Sequence, residues 1–119
     1  MKNKPSLSII YGLLFTYNIE NTDDLEREKF IASKNINSEK ELIALFDRLT
    51  KPEFLDYTSD EQEWFIASLT HFLAINESFD TVFKNMETYF SSPIINQRKF
   101  MQVLLTRLKH YCSMAKSRE

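Results

Sequence analysis

Apolar residues recur along this chain at three- and four-residue intervals, and nowhere do they alternate with polar ones as in a half-buried strand. Leu7, Ile10, Leu14 and Tyr17 share one helical face, and Ser6 stands where an N-cap is wanted. Thr22-Asp23-Asp24 opens a second, more polar helix carrying Leu25, Phe30, Ile31 and Ala32, its acids suited to the positive end of the helix dipole. Ser38-Glu39-Lys40-Glu41 has capping-box spacing and leads into Leu42, Ile43, Leu45, Phe46 and Leu49. Pro52 is expected to end that helix, because proline disfavours the helical conformation in the residue before it. Pro52 to Tyr57 then reads as a connector holding Phe54 and Leu55.

Two overlapping capping boxes follow, Thr58 with Glu61 and Ser59 with Gln62. Beyond them Trp64, Phe65, Ile66, Ala67, Leu69, Phe72, Leu73, Ala74 and Ile75 point in most directions, which predicts a central, largely buried helix. Asn76 or Ser78 caps a fifth helix with Phe79, Val82, Phe83, Met86, Tyr89 and Phe90, broken by Ser91-Ser92-Pro93. The last helix runs from about Ile94 to Met114, with Phe100, Val103, Leu104, Leu108 and Tyr111 or Cys112 as its stripe. The pattern predicts one all-α domain over residues 1–119, of five or six helices in an irregular bundle or a short helical-hairpin stack. Phe30-Ile31-Ala32-Ser33 matches Phe65-Ile66-Ala67-Ser68 thirty-five residues later, but the helices that follow match at an offset of forty. Unequal periods favour coincidence over a duplicated hairpin.

Composition agrees with a helical reading. One Gly in 119 residues, against an average near roughly 7%, leaves few positions for the tight turns of hairpins and barrels. Ten Phe, five Tyr and one Trp supply ample apolar surface for a core. Cys112 is the only cysteine, so no intramolecular disulfide forms, which fits a reducing compartment. Lys2 and Lys4 ahead of the run from Leu7 to Phe15 resemble a signal sequence, yet Ser8, Thr16 and Tyr17 interrupt it and no small-residue cleavage site follows. The run is also too short to span a bilayer. A cytoplasmic protein with no membrane segment is the expectation.

The chain offers little catalytic chemistry. His71 has Ala74 and Ile75 where a helical metal site needs a second ligand, and reads as a partly buried structural histidine. His110 and Cys112 are two apart, which points them away from each other on a helix. A single Gly cannot build a phosphate loop. Asp60, Glu61 and Glu63 cluster at a helix start, where acids are expected for dipole reasons alone. No metal site, no cofactor and no enzymatic activity are expected. Arg98, Lys99, Arg107 and Lys109 give the last helix a basic cast, but a pI near 5.7 disfavours nucleic acid as a partner.

Charge is segregated along the chain. From Glu20 to Glu63 thirteen acids face six bases, a local net of −7, while Trp64 to Glu119 carries four acids and seven bases, +3. The acidic stretch contains Lys51 to Trp64, in which Phe54, Tyr57 and Trp64 are interleaved with five carboxylates. Aromatic anchors within a charged rim are the composition of a protein-binding surface. In size, low Gly, Lys/Asn/Ile-rich composition and the stretches Glu53-Phe54-Leu55-Asp56-Tyr57 and Asp60-Glu61-Gln62-Glu63-Trp64, the chain resembles the small helical immunity proteins of bacterial toxin–immunity systems, particularly those of contact-dependent growth inhibition. That resemblance implies a cytoplasmic protein that binds one cognate toxin domain, often a nuclease, and blocks its active site. It transfers no contact residues, because members of that group differ widely in fold.

From the residues themselves, the contact surface is expected on Asp56, Tyr57, Asp60, Glu61 and Glu63, with Asp23, Asp24 and Glu26 in support. Two other functions fit the sequence: a nucleic-acid-associated regulator acting through the last helix, and a homodimeric structural or phage-type adaptor.

Overall fold

The helical periodicity is realised in the computed structural model, which describes residues 4–19, 24–84 and 86–117. Helix α1 spans Leu7–Leu13 and tightens into a 3₁₀ turn at Leu14–Tyr17. Helix α2 spans Leu25–Ala32, α3 Glu39–Leu45, α4 Lys51–Asp56, α5 Ser59–Ala74, α6 Asp80–Lys84 and α7 Gln97–Ser117. Phe46–Thr50 is a π-helical stretch that joins α3 to α4 without a break. Counting Glu39–Asp56 as one helix gives six among the described residues, so the fold is all-α, as the pattern predicted. One isolated antiparallel bridge pairs Asn18 with Thr88.

Helix α7 is the spine of the core. Its Phe100, Met101, Val103, Leu104, Leu108 and Tyr111 are all buried, so the expected stripe holds with Met101 added. It packs against α3, the π stretch and α4 on one side and against α5 on the other. Phe100 is the aromatic hub, with Phe46 and Phe83 edge-on at 5.3 Å and Phe90 at 6.0 Å. Edge contacts of this kind add to area burial because the positive ring edge meets a negative face.

The helix expected to be central is instead peripheral. On α5 only Phe65, Ser68 and Leu69 are buried, while Ala67 and Ala74 are exposed. Trp64 lies near the surface, its indole N–H donating to the Lys4 carbonyl at 2.6 Å. The central place goes to α7, the longest amphipathic helix, because it has neighbours on both flanks. The repeated tetrapeptide is not used alike: in α2 its isoleucine, Ile31, is buried, whereas in α5 its phenylalanine, Phe65, is. Equivalent positions therefore face different ways.

Pro52 does not end a helix. Lys51, just before it, keeps helical dihedrals of −53° and −51°. The reason lies in the π stretch: Lys51 N–H donates to the Phe46 carbonyl, five residues back, and this wider turn makes room for the proline ring and its missing donor. Two of the three predicted capping boxes are also absent. Ser38 makes no side-chain cap, and Glu41 instead accepts from Asn35 N–H at 3.1 Å. Gln62 turns away from Ser59 to donate to the carbonyls of Phe54 at 3.2 Å and Tyr57 at 2.9 Å, which caps the end of α4. The Thr58–Glu61 box forms as predicted.

The fifth helix is shorter than its periodicity implied. Helix α6 stops at Lys84, and from Met86 the chain runs extended beside the turn after α1. Ile19 N–H donates to Glu87 O at 2.8 Å and Tyr89 N–H to Tyr17 O at 3.0 Å. These bonds replace the helical ones and let Phe90 reach the Tyr17 ring at 5.5 Å as well as Phe100. The turn before α6 holds Asn76 and Phe79 at positive φ, 66° and 69°. Asparagine tolerates that region; for phenylalanine it is strained, and the fully buried ring holds it there. Arg98 donates to the carbonyls of Leu73 at 2.6 Å and Glu77 at 2.7 Å, which caps α5 from α7. Helix α7 itself begins at Gln97, with Asn96 Oδ1 accepting from Lys99 N–H, rather than at Ile94.

Asp47, on the π stretch, couples the two long helical bodies. It takes two bonds from Arg107, at 3.0 and 3.1 Å, and one from the Tyr111 hydroxyl at 2.5 Å. Burial pushes the Tyr111 phenol above its usual range, and the Asp47 carboxylate holding its proton adds to the effect. We predict that Asp47→Ala lowers unfolding free energy by about 2 kcal/mol, since it strands a buried hydroxyl and a guanidinium, and that Asp47→Asn costs less. Urea denaturation measures both, and equal losses would place the effect elsewhere. Pro52→Ala should change stability by less than about 1 kcal/mol, against about 3 for a proline inside a regular helix. A gain near the larger figure would show that the π turn does not accommodate the ring.

Candidate functional site

The predicted contact residues fall into two groups in the structure, and Asp23 lies outside the described residues. Asp24 is the N-cap of α2, accepting from Arg27 N–H at 3.1 Å, and Glu26 is exposed in the first turn. The other five sit at the α4–α5 junction. Asp56, Asp60 and Glu63 are exposed, and none of them makes an ion pair with a described residue. Tyr57 is half-buried, edge-on to Phe65 at 4.8 Å. Glu61 is engaged in the fold: its carboxylate accepts from Thr58 N–H at 2.9 Å. It is therefore a cap first, and reversing its charge would damage α5.

This junction forms one wall of an open cleft whose other wall is the C-terminal part of α7. The cleft measures about 570 Å³, and Leu55, Tyr57, Gln62, Glu63, Cys112 and Ala115 are among its lining residues. A smaller hollow of about 210 Å³ adjoins it, sharing Leu55 and Ala115 and lined also by Lys51, Tyr111 and Met114. By contrast, a hollow of about 260 Å³ between α1 and α6 has no charged lining. The sequence pointed to the acids and Tyr57, but not to the floor. Leu55 is 36% exposed, and Cys112 and Ala115 join it only through the packing of α7 on α4.

Two of the five carboxylates in the Lys51–Trp64 segment are explained by helix physics alone. Asp60 and Glu61 lie in the first turn of α5, where negative charge is favourable. Asp56 is different. It ends α4, at the negative pole of the helix dipole, and stands three residues after Glu53. Loss of water around the Glu53 carboxyl pushes its pKa up, and Asp56 pushes the same way. The Thr16 hydroxyl and Arg27 pull it back.

Three cations of the basic tail are engaged within the fold, while Lys109 is exposed. Arg98 caps α5, Lys99 pairs with Glu39 at 2.7 Å, and Arg107 pairs with Asp47. These three cations are each partnered within the fold. His71 is exposed rather than partly buried, with its ring 5.1 Å from Phe72. Among the described residues no group of three or more His, Cys, Asp or Glu could hold a metal ion. No helix among them is long and apolar enough to cross a membrane. Comparison with protein-family models, with curated proteins and with solved structures returned no match.

Two outcomes follow from the strained pair. Asp56→Asn should raise stability by about 0.5 kcal/mol at neutral pH, because it removes an acid from a helix C-terminus and a neighbour of like charge. Glu53→Gln should also stabilise at neutral pH. A carboxyl whose folded pKa lies above its usual 4.5 disfavours folding once ionised, so the advantage of Gln is full above that raised value. It fades as pH falls toward 4.5. Urea midpoints across pH 7 to 4 measure this, and a pH-independent difference would exclude an electrostatic origin.

Proposed function

We propose that this chain is a binding protein of the cytoplasm that neutralises a cognate toxin domain of the nuclease type by covering its active site. The observation that carries the reading is the α4–α5 junction: carboxylates at Asp56, Asp60 and Glu63 are exposed there, none in an ion pair with a described residue, and Glu63 lines a cleft that also offers Leu55 and Tyr57. Nucleases bind phosphates through basic clefts, and an acidic surface competes for the same charge. Long-range attraction speeds encounter, while Tyr57 and Leu55 supply contacts that slow dissociation. A standard interface needs about 800 Å² from each partner, so the cleft would form its centre, with more of the acidic surface as rim. Asp24 and Glu26 belong to that rim in this reading. The single cysteine, not needed for any disulfide, is in keeping with a reducing compartment.

The test is co-expression of the tagged chain with the neighbouring open reading frames of its source genome, followed by capture and a protection assay. Recovery of one basic domain, and rescue of cells or nucleic acid from its activity, supports the reading. Capture of DNA or RNA alone would turn it toward the nucleic-acid regulator. With the captured domain in hand, Asp56→Lys, Asp60→Lys and Glu63→Lys together should lower affinity at least about tenfold, mainly through slower association at low salt. The fold should be unchanged, since none of the three bonds within it. An unaltered association rate would remove this surface from the interface.

A further inference from the structure

Helix α2 is attached to the molecule differently from every other helix. Each of the others has a closely packed partner element; among the described residues α2 has none. Of its eight residues only Ile31 is buried, and Leu25, Glu26, Lys29 and Ala32 are exposed. What holds it lies mainly along one face. Phe30 is half-buried, and its ring carries two cations, the Arg48 guanidinium at 4.7 Å and the Lys34 ammonium at 5.1 Å from the centroid. Arg48 belongs to the π stretch, so this contact ties α2 to the body, and neither cation pairs with a described carboxylate. Arg27, one turn before Phe30, lies near the Glu53 carboxylate of α4, and Glu28 lies beside the Tyr89 hydroxyl.

The boundary behind α2 is sharp. Ser33 N–H donates back to Lys29 O at 3.0 Å, and Lys34 N–H to Ile31 O at 3.2 Å. From Asn35 onward the chain is fixed to the body instead. Asn35 N–H donates to Glu41 at 3.1 Å, and Ile36 is buried. The Asn37 amide donates to Pro93 O and accepts from Ile95 N–H, each at 3.0 Å. A helix shorter than about 12 residues is marginal in water by itself, because its nucleus is costly. Helix α2 is therefore helical while seated and unfolds when released. Releasing it uncovers one buried aliphatic side chain and one ring, whereas the α7 core comes apart only as a whole. We infer that α2 opens separately from the rest of the fold, hinged at Ser33 and Lys34, and that the Phe30 ring against Arg48 is the catch that sets how often it opens. Arg48 is thus a positioning residue, acting on α2 through Phe30. The device does not depend on the proposed function. Under that reading, Asp24 and Glu26 keep fixed places at the rim only while α2 is seated.

The test is native-state hydrogen exchange of the isotope-labelled full chain, followed by NMR at neutral pH over a series of low urea concentrations. The amides of Ile31, Ala32 and Ser33 should exchange at least about a hundredfold faster than those of Leu104 and Leu108. Their rates should depend little on urea, because a small opening exposes little surface. Arg48→Ala should speed the α2 amides about fivefold and leave the α7 amides unchanged. Phe30→Leu, which keeps apolar bulk but removes the ring face, should also speed α2 alone. Adding Arg48→Ala to it should bring no further gain, since the two changes remove the same contact. Exchange of α2 and α7 at one common, urea-dependent rate overturns the separate opening. An Arg48→Ala variant that leaves α2 unaltered, or that speeds α7 as much as α2, overturns the catch. Fully additive effects of Phe30→Leu and Arg48→Ala overturn it as well.

Discussion

The fold depends on how Asp47 joins the Glu39–Asp56 helix to α7. Asp47 lies on the stretch where that helix widens to π geometry, and one carboxylate serves both the Arg107 guanidinium and the Tyr111 hydroxyl. Arg107 lies three residues after the buried Leu104 and Tyr111 three after the buried Leu108, so the bonds add a polar constraint on register to the apolar packing of α7. The same stretch carries Thr50, whose hydroxyl shares a 2.6 Å bond with Tyr17. A single irregular turn thus ties three elements together, and its geometry is what lets Pro52 remain inside a helix. Everything downstream inherits that placement: Phe54 enters the core, Leu55 faces out, and the α4–α5 junction lies beside the end of α7.

The charges show how a segregation visible in one dimension changes in three. The basic tail folds against the acidic front, and Arg107–Asp47 and Lys99–Glu39 are the result. Exposed pairs of this kind contribute little to stability, and the Lys99–Glu39 pair, with both side chains more than half exposed, is one of them. Their larger effect is subtraction. Charge that pairs internally is no longer offered to a partner, so the field outside the molecule comes from what is left, and Asp56, Asp60 and Glu63 are part of it.

How far the sequence was legible follows from the same physics. The stripe of α7 was readable because a long helix buried along one face repeats its pattern many times. Helix α5 was misjudged because an apolar residue on most faces looks the same whether it is buried or only half covered, as Ile66, Phe72 and Leu73 are. The segment after Lys84 was misjudged because Tyr89 and Phe90 fit helical spacing, yet the Tyr89 N–H bonds the Tyr17 carbonyl and the Phe90 ring packs on the Tyr17 ring, contacts distant in sequence that local periodicity does not report. At the candidate site, Asp56 to Glu63 are contiguous and so were readable. Cys112 and Ala115 are brought in by tertiary packing, which no local pattern encodes. Glu61 was readable as a cap and as a contact, and the bond to Thr58 shows that the cap is occupied.

The α4–α5 junction is held in shape by backbone satisfaction. Two helices that end and start within a few residues leave unpaired carbonyls and N–H groups, which usually keep such a corner wet. Here Gln62 closes the end of α4 and the Thr58–Glu61 box closes the start of α5. With these backbone groups partnered from within, the corner leaves Leu55 exposed and Tyr57 half-buried without unpaired helix ends beside them. What then remains unbalanced is electrostatic: Asp56 at a helix C-terminus, close enough to Glu53 to raise its pKa. Each feature has a structural meaning alone. Together they leave Leu55 exposed and Tyr57 half-exposed beside carboxylates that no described cation pairs.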